Sequence, residues 1–240
     1  MLETDLDRAL KDQQELYDRS WHDGLEGGKE QRGNLAINLD FLERTNLLDG
    51  EQHILEVGCG IGSIAYALSQ QGYHIIGTDI SHEAIAYGRK KYPNVTLEVH
   101  PAEVLPYDDQ SFDRILSFDL LEHIEQVDRH IEQVYRILKP GGVYLLQTPN
   151  KISNVVFETL SHRSFRWRRY HPSLHTPGQL CRRFKRHGFD LTFEKMNPIN
   201  DYTRAKLKKI GIIGLLISRI PFESLPISIQ TNLYAIAHKR

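Results

Sequence analysis

Three residues near the middle of the chain carry groups that move protons, hold metals or start helices. They are Asp119, Glu122 and His123, in the run "LSFDLLEHIEQ". Their spacing, i, i+3 and i+4, predicts one shared helix face. Three kinds of chemistry fit. In one, Asp119 faces a ligand while Glu122 and His123 orient and cap a helix starting at Ile124, because helix starts favour acids. In another, His123 is a general base, its pKa suited to taking a hydroxyl proton near neutral pH. In the third, two carboxylates and an imidazole bind Mg²⁺ or Zn²⁺.

A second constellation lies upstream in "ILEVGCGIGS". Gly58, Gly60 and Gly62 follow a short apolar run and precede a helical pattern. They permit a sharp turn and close approach of a ligand to the backbone. The dinucleotide pattern would need glycine at 63, where Ser63 stands, so the third glycine comes one residue early. Glu56 would repel a diphosphate and would suit a cationic ammonium. Asp79 ends the next apolar run, where an acid can accept hydrogen bonds from ribose hydroxyls. A nucleoside with an amino-acid tail and no diphosphate satisfies both acids, and S-adenosylmethionine is such a molecule. Cys59 reads as a small packing residue within this loop, since nothing cationic is adjacent.

The elements that must position these groups alternate. "HILEV", "HIIGTD", "VTLEV", "FDRILSF" and "VYLLQT" read as strands. Ser63 to Gln71, His82 to Lys91 and Ile124 to Leu138 read as helices, with Ser81 as an N-cap and "LKPGG" as a helix stop and turn. This order predicts an α/β fold, a parallel sheet with helices on both faces. Residues 1–22 and Gln31 to Leu47 read as leading helices, and Gly188 to Lys195 and Thr231 to Lys239 as two late strands. At 240 residues the chain suits one domain. Its parts would be N-terminal helices over 1–50, a cofactor-binding core over 51–150, a basic segment over 151–187, and a closing hairpin over 188–240 with a helical insertion at 203–220. The formal net charge of −1 points away from nucleic acid. Two cysteines make no disulfide framework and suggest a reducing cytoplasm. The polar, acidic N-terminus resembles no signal peptide, and no apolar run reaches the ~18 residues of a membrane span.

"LEVGCGIG", "GTDIS", "AEVLPYDDQSFDRILSFDLLEHI" and "RILKPGGVYLLQTPN" resemble the successive motifs of class I S-adenosylmethionine-dependent methyltransferases. The likeness runs from about Ile54 to Asn150, and more weakly through "HTPGQLCRRFKRHGF". It is strongest to the small-molecule branch that includes quinone-biosynthesis O-methyltransferases. The resemblance implies a Rossmann-like seven-stranded sheet, mostly parallel with an antiparallel last strand. It implies that Glu56 lies near the methionine end of the cofactor and that the loop of Gly58, Cys59, Gly60, Ile61 and Gly62 cradles it. It places Asp79 on the ribose, Ile80 on the adenine, Ala102 and Glu103 beside that ring, and Asp119 and Leu120 under the sulfonium. Many relatives carry aspartate where this chain has Pro101, which leaves Glu103 to meet the adenine amino group. Some quinone O-methyltransferases use a metal held by an E-x-x-E-H run. Here Asp119 replaces the first glutamate with a shorter reach, so Mg²⁺ is not favoured. Oxygen is the acceptor atom the resemblance implies. An NAD-dependent oxidoreductase and a non-catalytic cofactor-binding module are the competing readings.

Between Glu158 and Asp190 there is no acidic residue, yet residues 161–187 hold seven arginines and one lysine. A solvated basic surface accounts for this. So does a site in which Arg166, Arg168 and Arg169 grip an anionic acceptor or lipid, with Phe165, Trp167 and Tyr170 stacking on an aromatic one. His171 and His175 are further base candidates. "KLKKIGIIGLLISRIPF" reads as a lid over the acceptor pocket, the preferred reading, or as a helix lying in a membrane interface.

Overall fold

The structure is a computed structural model that describes residues 5–28, 30, 34–155, 171–199, 201–208 and 211–240. Seven strands form one sheet: β1 (His53–Val57), β2 (His74–Asp79), β3 (Thr96–Val99), β4 (Phe112–Phe118), β5 (Leu138–Pro149), β6 (Phe189–Glu194) and β7 (Asn232–Lys239). Their order is β3-β2-β1-β4-β5-β7-β6. β1 to β5 pair in parallel, and β7 runs antiparallel between β5 and β6. The order reverses direction between β1 and β4. Ligands of open α/β sheets bind at that switch, outside the carboxyl ends of the strands.

Alternation along the strands divides the core into two apolar layers. Ile54, Leu116 and Leu145 face one layer, with Phe41 and Ala65. Leu55, Ile115 and Leu146 face the other, with Ile131 and Phe184. Both faces are therefore dry, which is why these strands read as continuous apolar runs. Each such leucine or isoleucine contributes about 1.5–3 kcal/mol by leaving water.

The flanking helices are α1 (Asp5–Glu26), α2 (Leu35–Thr45), α3 (Ser63–Ser69), α4 (His82–Lys91), α5 (Val127–Ile137), α6 (Pro177–Arg186), α7 (Asp201–Lys208) and α8 (Gly211–Ser218). Ser81 caps α4 by accepting from the Ala84 N–H. α6 opens on a capping box, Thr176 with Gln179, and has Pro177 in its first turn.

Two local expectations need correction. The helix after β4 does not start at Ile124: Leu121–His123 form a 3-10 turn, and α5 begins at Val127. "LKPGG" is not merely a turn, since β5 already begins at Leu138, which pairs with Phe112 across a bulge. No described helix is long and apolar enough to cross a membrane.

Candidate active site

The chain leaves β1 at Val57 and turns through Gly58, Cys59 and Gly60. The N–H groups of Gly58 and Cys59 both donate to the Thr78 carbonyl, at 2.7 and 3.0 Å. The Gly60 N–H donates to Asp79 Oδ2 at 2.8 Å, while Asp79 Oδ1 accepts from the Ser81 N–H at 2.9 Å. The end of β2 therefore holds the loop in shape. Gly60 has φ +57°, and a Cβ there would lie 2.6 Å from Trp21 Cζ2. Gly58 has φ +74°, and a Cβ there would meet the Leu120 side chain at 2.7 Å. Only glycine satisfies both the backbone and the space.

Glu56 is 3% exposed and accepts from the Ala65 N–H at 2.9 Å. Burial, aided by the nearby Asp79 carboxylate, pushes its pKa up to about 8, against the pull of the Ala65 hydrogen bond. Such a carboxyl is poised to ionise when a cation arrives.

Two small clefts meet at Gly58 and Asp119. Asp79, Ile80, Ala102, Glu103, Leu120 and His123 line the first. Glu56, Cys59, Gly60 and Ile61 line the second. Eleven of the twelve residues expected to touch cofactor thus border one cleft or the other. Gly62 does not, serving as the N-cap of α3. Cys59 also packs in the core, 9% exposed. Burial raises Glu103, itself 3% exposed, to about 6.

The clefts hold about 30 and 60 Å³ as folded, whereas pockets for small ligands run to roughly 300–1,000 Å³. α1 closes them. Gln13 and Tyr17 line the first cleft and Trp21 the second. The latch is mostly polar: Gln13 Nε2 donates to the His123 carbonyl and Gln14 Nε2 to that of Ile80, each at 3.1 Å. Ser81 Oγ donates to Asp18 Oδ1 at 2.7 Å. Trp21 is the buried residue of this helix. α1 thus covers both clefts along one side.

Asp119, Glu122 and His123 do not share one helix face. Asp119 has φ +50°, so the chain breaks direction there. Its N–H donates to Gln147 Oε1 at 2.9 Å, and its carboxylate accepts from Asn34 Nδ2 at 3.1 and 3.3 Å. Glu122 is not a solvated helix-start acid: it is 2% exposed and accepts from Thr148 Oγ1 at 3.0 Å. Its other oxygen lies 3.8 Å from His123 Nε2. The His123 ring meets that of His171 edge to face, centroids 5.0 Å apart, and that of Tyr17 at 5.8 Å. Glu122, His123 and His171 each offer one ligand atom, all within 4.8 Å of one another. His171 thus stands where Asp119 was expected.

His175 is buried and held at about 4 by desolvation and by the charges of Arg183 and Lys151, so it is neutral at pH 7. Arg166, Arg168, Arg169, Phe165, Trp167 and Tyr170 lie outside the described residues. Gln13, Tyr17, Trp21, Asn34 and His100 were not expected at the site. Tyr17 and Trp21 alone left a signal, as the two aromatics of an amphipathic helix.

A seven-stranded sheet of this order, with a glycine loop after β1 and an acid ending β2, is a Rossmann-like arrangement with its site at the carboxyl ends of the strands. The comparisons narrow this. Residues 55–146 match the family model described as a methyltransferase domain. A ubiquinone biosynthesis O-methyltransferase of Coxiella burnetii is 32% identical over 119 residues, 48% of this chain and 50% of that one. A demethylmenaquinone methyltransferase of Chlorobaculum tepidum is 34% identical over 116 residues, 47% and 48%. The chain spans about half the length of these curated relatives. A solved S-adenosylmethionine-dependent methyltransferase from Thermotoga maritima superposes with TM-score 0.66 at 19% identity, covering 95% of this chain and all of that one. Residues 55–146 thus match a methyltransferase domain, and this core resembles the class I S-adenosylmethionine-dependent methyltransferases, including their quinone-biosynthesis members.

Proposed function

We propose that the protein transfers a methyl group from S-adenosylmethionine to a hydroxyl oxygen of a small molecule. The observation that carries this reading is the Glu122–His123 pair at the rim of the cleft that Asp79 and Gly58 line. S-adenosylmethionine, when bound, supplies a methyl group already activated by its sulfonium. The chain must then align the acceptor and remove one proton. His123 Nε2 takes the hydroxyl proton. Glu122 steadies the charge that forms on the ring, and Thr148 holds Glu122 in place. Glu56 receives the ammonium of the amino-acid tail, and Asp79 the ribose.

The acceptor is aromatic or anionic, and the protein works in the cytoplasm or against its membrane face. The two free cysteines suit that compartment. A second reading has the same residues hold a divalent ion. Glu122, His123 and His171 would be its ligands, a set suited to Zn²⁺ or a neighbouring transition metal.

The experiment is S-adenosylhomocysteine formation with a panel of phenolic acceptors. His123→Ala should lower turnover about 10²-fold with cofactor affinity unchanged, and EDTA should have no effect. Activity lost to EDTA and restored by a metal would select the second reading. Unchanged turnover in His123→Ala would remove His123 from the chemistry.

A further inference from the structure

The helix α8 is built inside out. Ile212 is 75% exposed, Leu216 61%, Leu215 50%, and Ile220, just beyond its end, 37%. Their spacing, i, i+3, i+4 and i+8, makes one apolar stripe turned to water. Small residues take the other side. Gly214 is buried, and with Gly211 and Ser218 it borders a cavity of about 260 Å³ shared with Arg204, Leu207 and Lys208 of α7. α8 packs chiefly on α7. No described α8 residue borders either cleft of the active site.

An apolar stripe of this kind marks a surface that another phase or partner covers. Charge identifies which. From Asp201 to Glu223 the sequence has no other acid, but Arg204, Lys206, Lys208 and Lys209 precede the stripe and Arg219 lies just before its last residue, Ile220. A second copy of the chain would bring the same cations against these. An anionic lipid surface complements them. Eight helical residues span about 12 Å, far short of the ~30 Å hydrocarbon core. The fitting geometry is a helix lying in the interface, apolar face down and cations among the headgroups.

We infer that the α7–α8 hairpin docks the protein peripherally on anionic membranes through Ile212, Leu215, Leu216 and Ile220. This goes beyond the methyl-transfer reading and stands without it. The test is co-sedimentation of the full chain with vesicles of phosphatidylglycerol and phosphatidylcholine, against phosphatidylcholine alone. Binding to the anionic vesicles alone is expected, weakened by salt. The double variant Leu215→Ser, Leu216→Ser should lose it by ~10-fold or more, about what exposing one leucine does to an equilibrium. Its S-adenosylhomocysteine affinity should not change, which shows that the fold survives. No binding, equal binding to both vesicle types, or undiminished binding by the double variant would overturn the inference. So would a concentration-dependent dimer of the lipid-free protein that the double variant abolishes.

Discussion

Trp21 lies across Gly60, so close that a single methyl group at position 60 would stand 2.6 Å from its ring. A side chain from the first helix thus covers the glycine loop. Gly60→Ala carries two penalties, a left-handed φ of +57° and displacement of Trp21. Gly72→Ala makes a control, since φ there is +92° and nothing lies within 4 Å of its Cβ. Each should lose about 1 kcal/mol to the backbone alone. Only Gly60→Ala should also loosen α1. In a Trp167→Phe background, Trp21 emission should shift to the red in Gly60→Ala and stay put in Gly72→Ala. Equal spectra would show that α1 does not rest on the loop.

If Glu56 receives the ammonium, cofactor binding should depend on pH. Its folded pKa of about 8 lies above the ordinary 4.5. Between those values the folded chain keeps a proton that the unfolded chain releases, so the ligand-free protein loses stability as pH rises through that window. The ammonium prefers the ionised carboxylate, so affinity should rise with pH toward 8. Deprotonation of the ligand's own amino group limits it from above. Calorimetry with S-adenosylhomocysteine should show affinity rising up to about pH 8. Glu56→Gln should flatten the rising limb and weaken binding. A profile unchanged in that variant would place the ammonium elsewhere.

Much of this architecture was legible in the residues because burial on both faces forces continuous apolar strands such as "HILEV" and "FDRILSF". The glycine loop was legible because only glycine tolerates its backbone. The rim of the site was not. Helical spacing put Asp119, Glu122 and His123 together, but one left-handed residue, Asp119, broke the face. That conformation depends on Gln147 and Asn34, from distant parts of the chain. Periodicity identified the first helix, but not its docking over the cofactor cleft, which rests on isolated contacts such as Gln14 to Ile80. His171 could be flagged only as a spare base, since nothing local tied it to His123.

The buried Glu122 carboxylate separates positioning from stability. Glu122→Gln keeps an oxygen for Thr148 but removes the charge facing His123. The imidazolium formed during turnover then loses its partner. The apparent pKa of the base in the kcat/KM profile should fall and turnover drop, with KM for S-adenosylmethionine little changed. Thr148→Val, which frees Glu122 to turn, should show a milder loss in the same direction. A drop in thermal stability with an unmoved pH profile would reduce Glu122 to a structural role.

His130 ties acid stability to the first cleft, through Ala102. It is fully buried, with Nδ1 3.0 Å from the Ala102 carbonyl and Nε2 2.9 Å from the Tyr144 hydroxyl, which lies 2.5 Å from Ser117 Oγ. The consistent pattern has Nδ1–H donate to Ala102 while Nε2 accepts from Tyr144. Burial holds its pKa near 4, against a weaker upward pull from Ala102. The unfolded chain takes up a proton near 6.5 that the folded one refuses until about 4, so stability is complete above 6.5 and declines as pH falls toward 4. His175, also near 4, adds a second loss in the same window. His130→Phe should remove part of this slope, leaving the share of His175. At pH 7.5 it should cost about 1–3 kcal/mol, because the Ala102 carbonyl loses its partner. Ala102 borders the first cleft, so S-adenosylhomocysteine should also bind less tightly. Urea unfolding at pH 5 and 7.5, wild type beside His130→Phe, measures the first effect and calorimetry the second. An identical pH slope in both proteins would show that His130 is not what acid attacks.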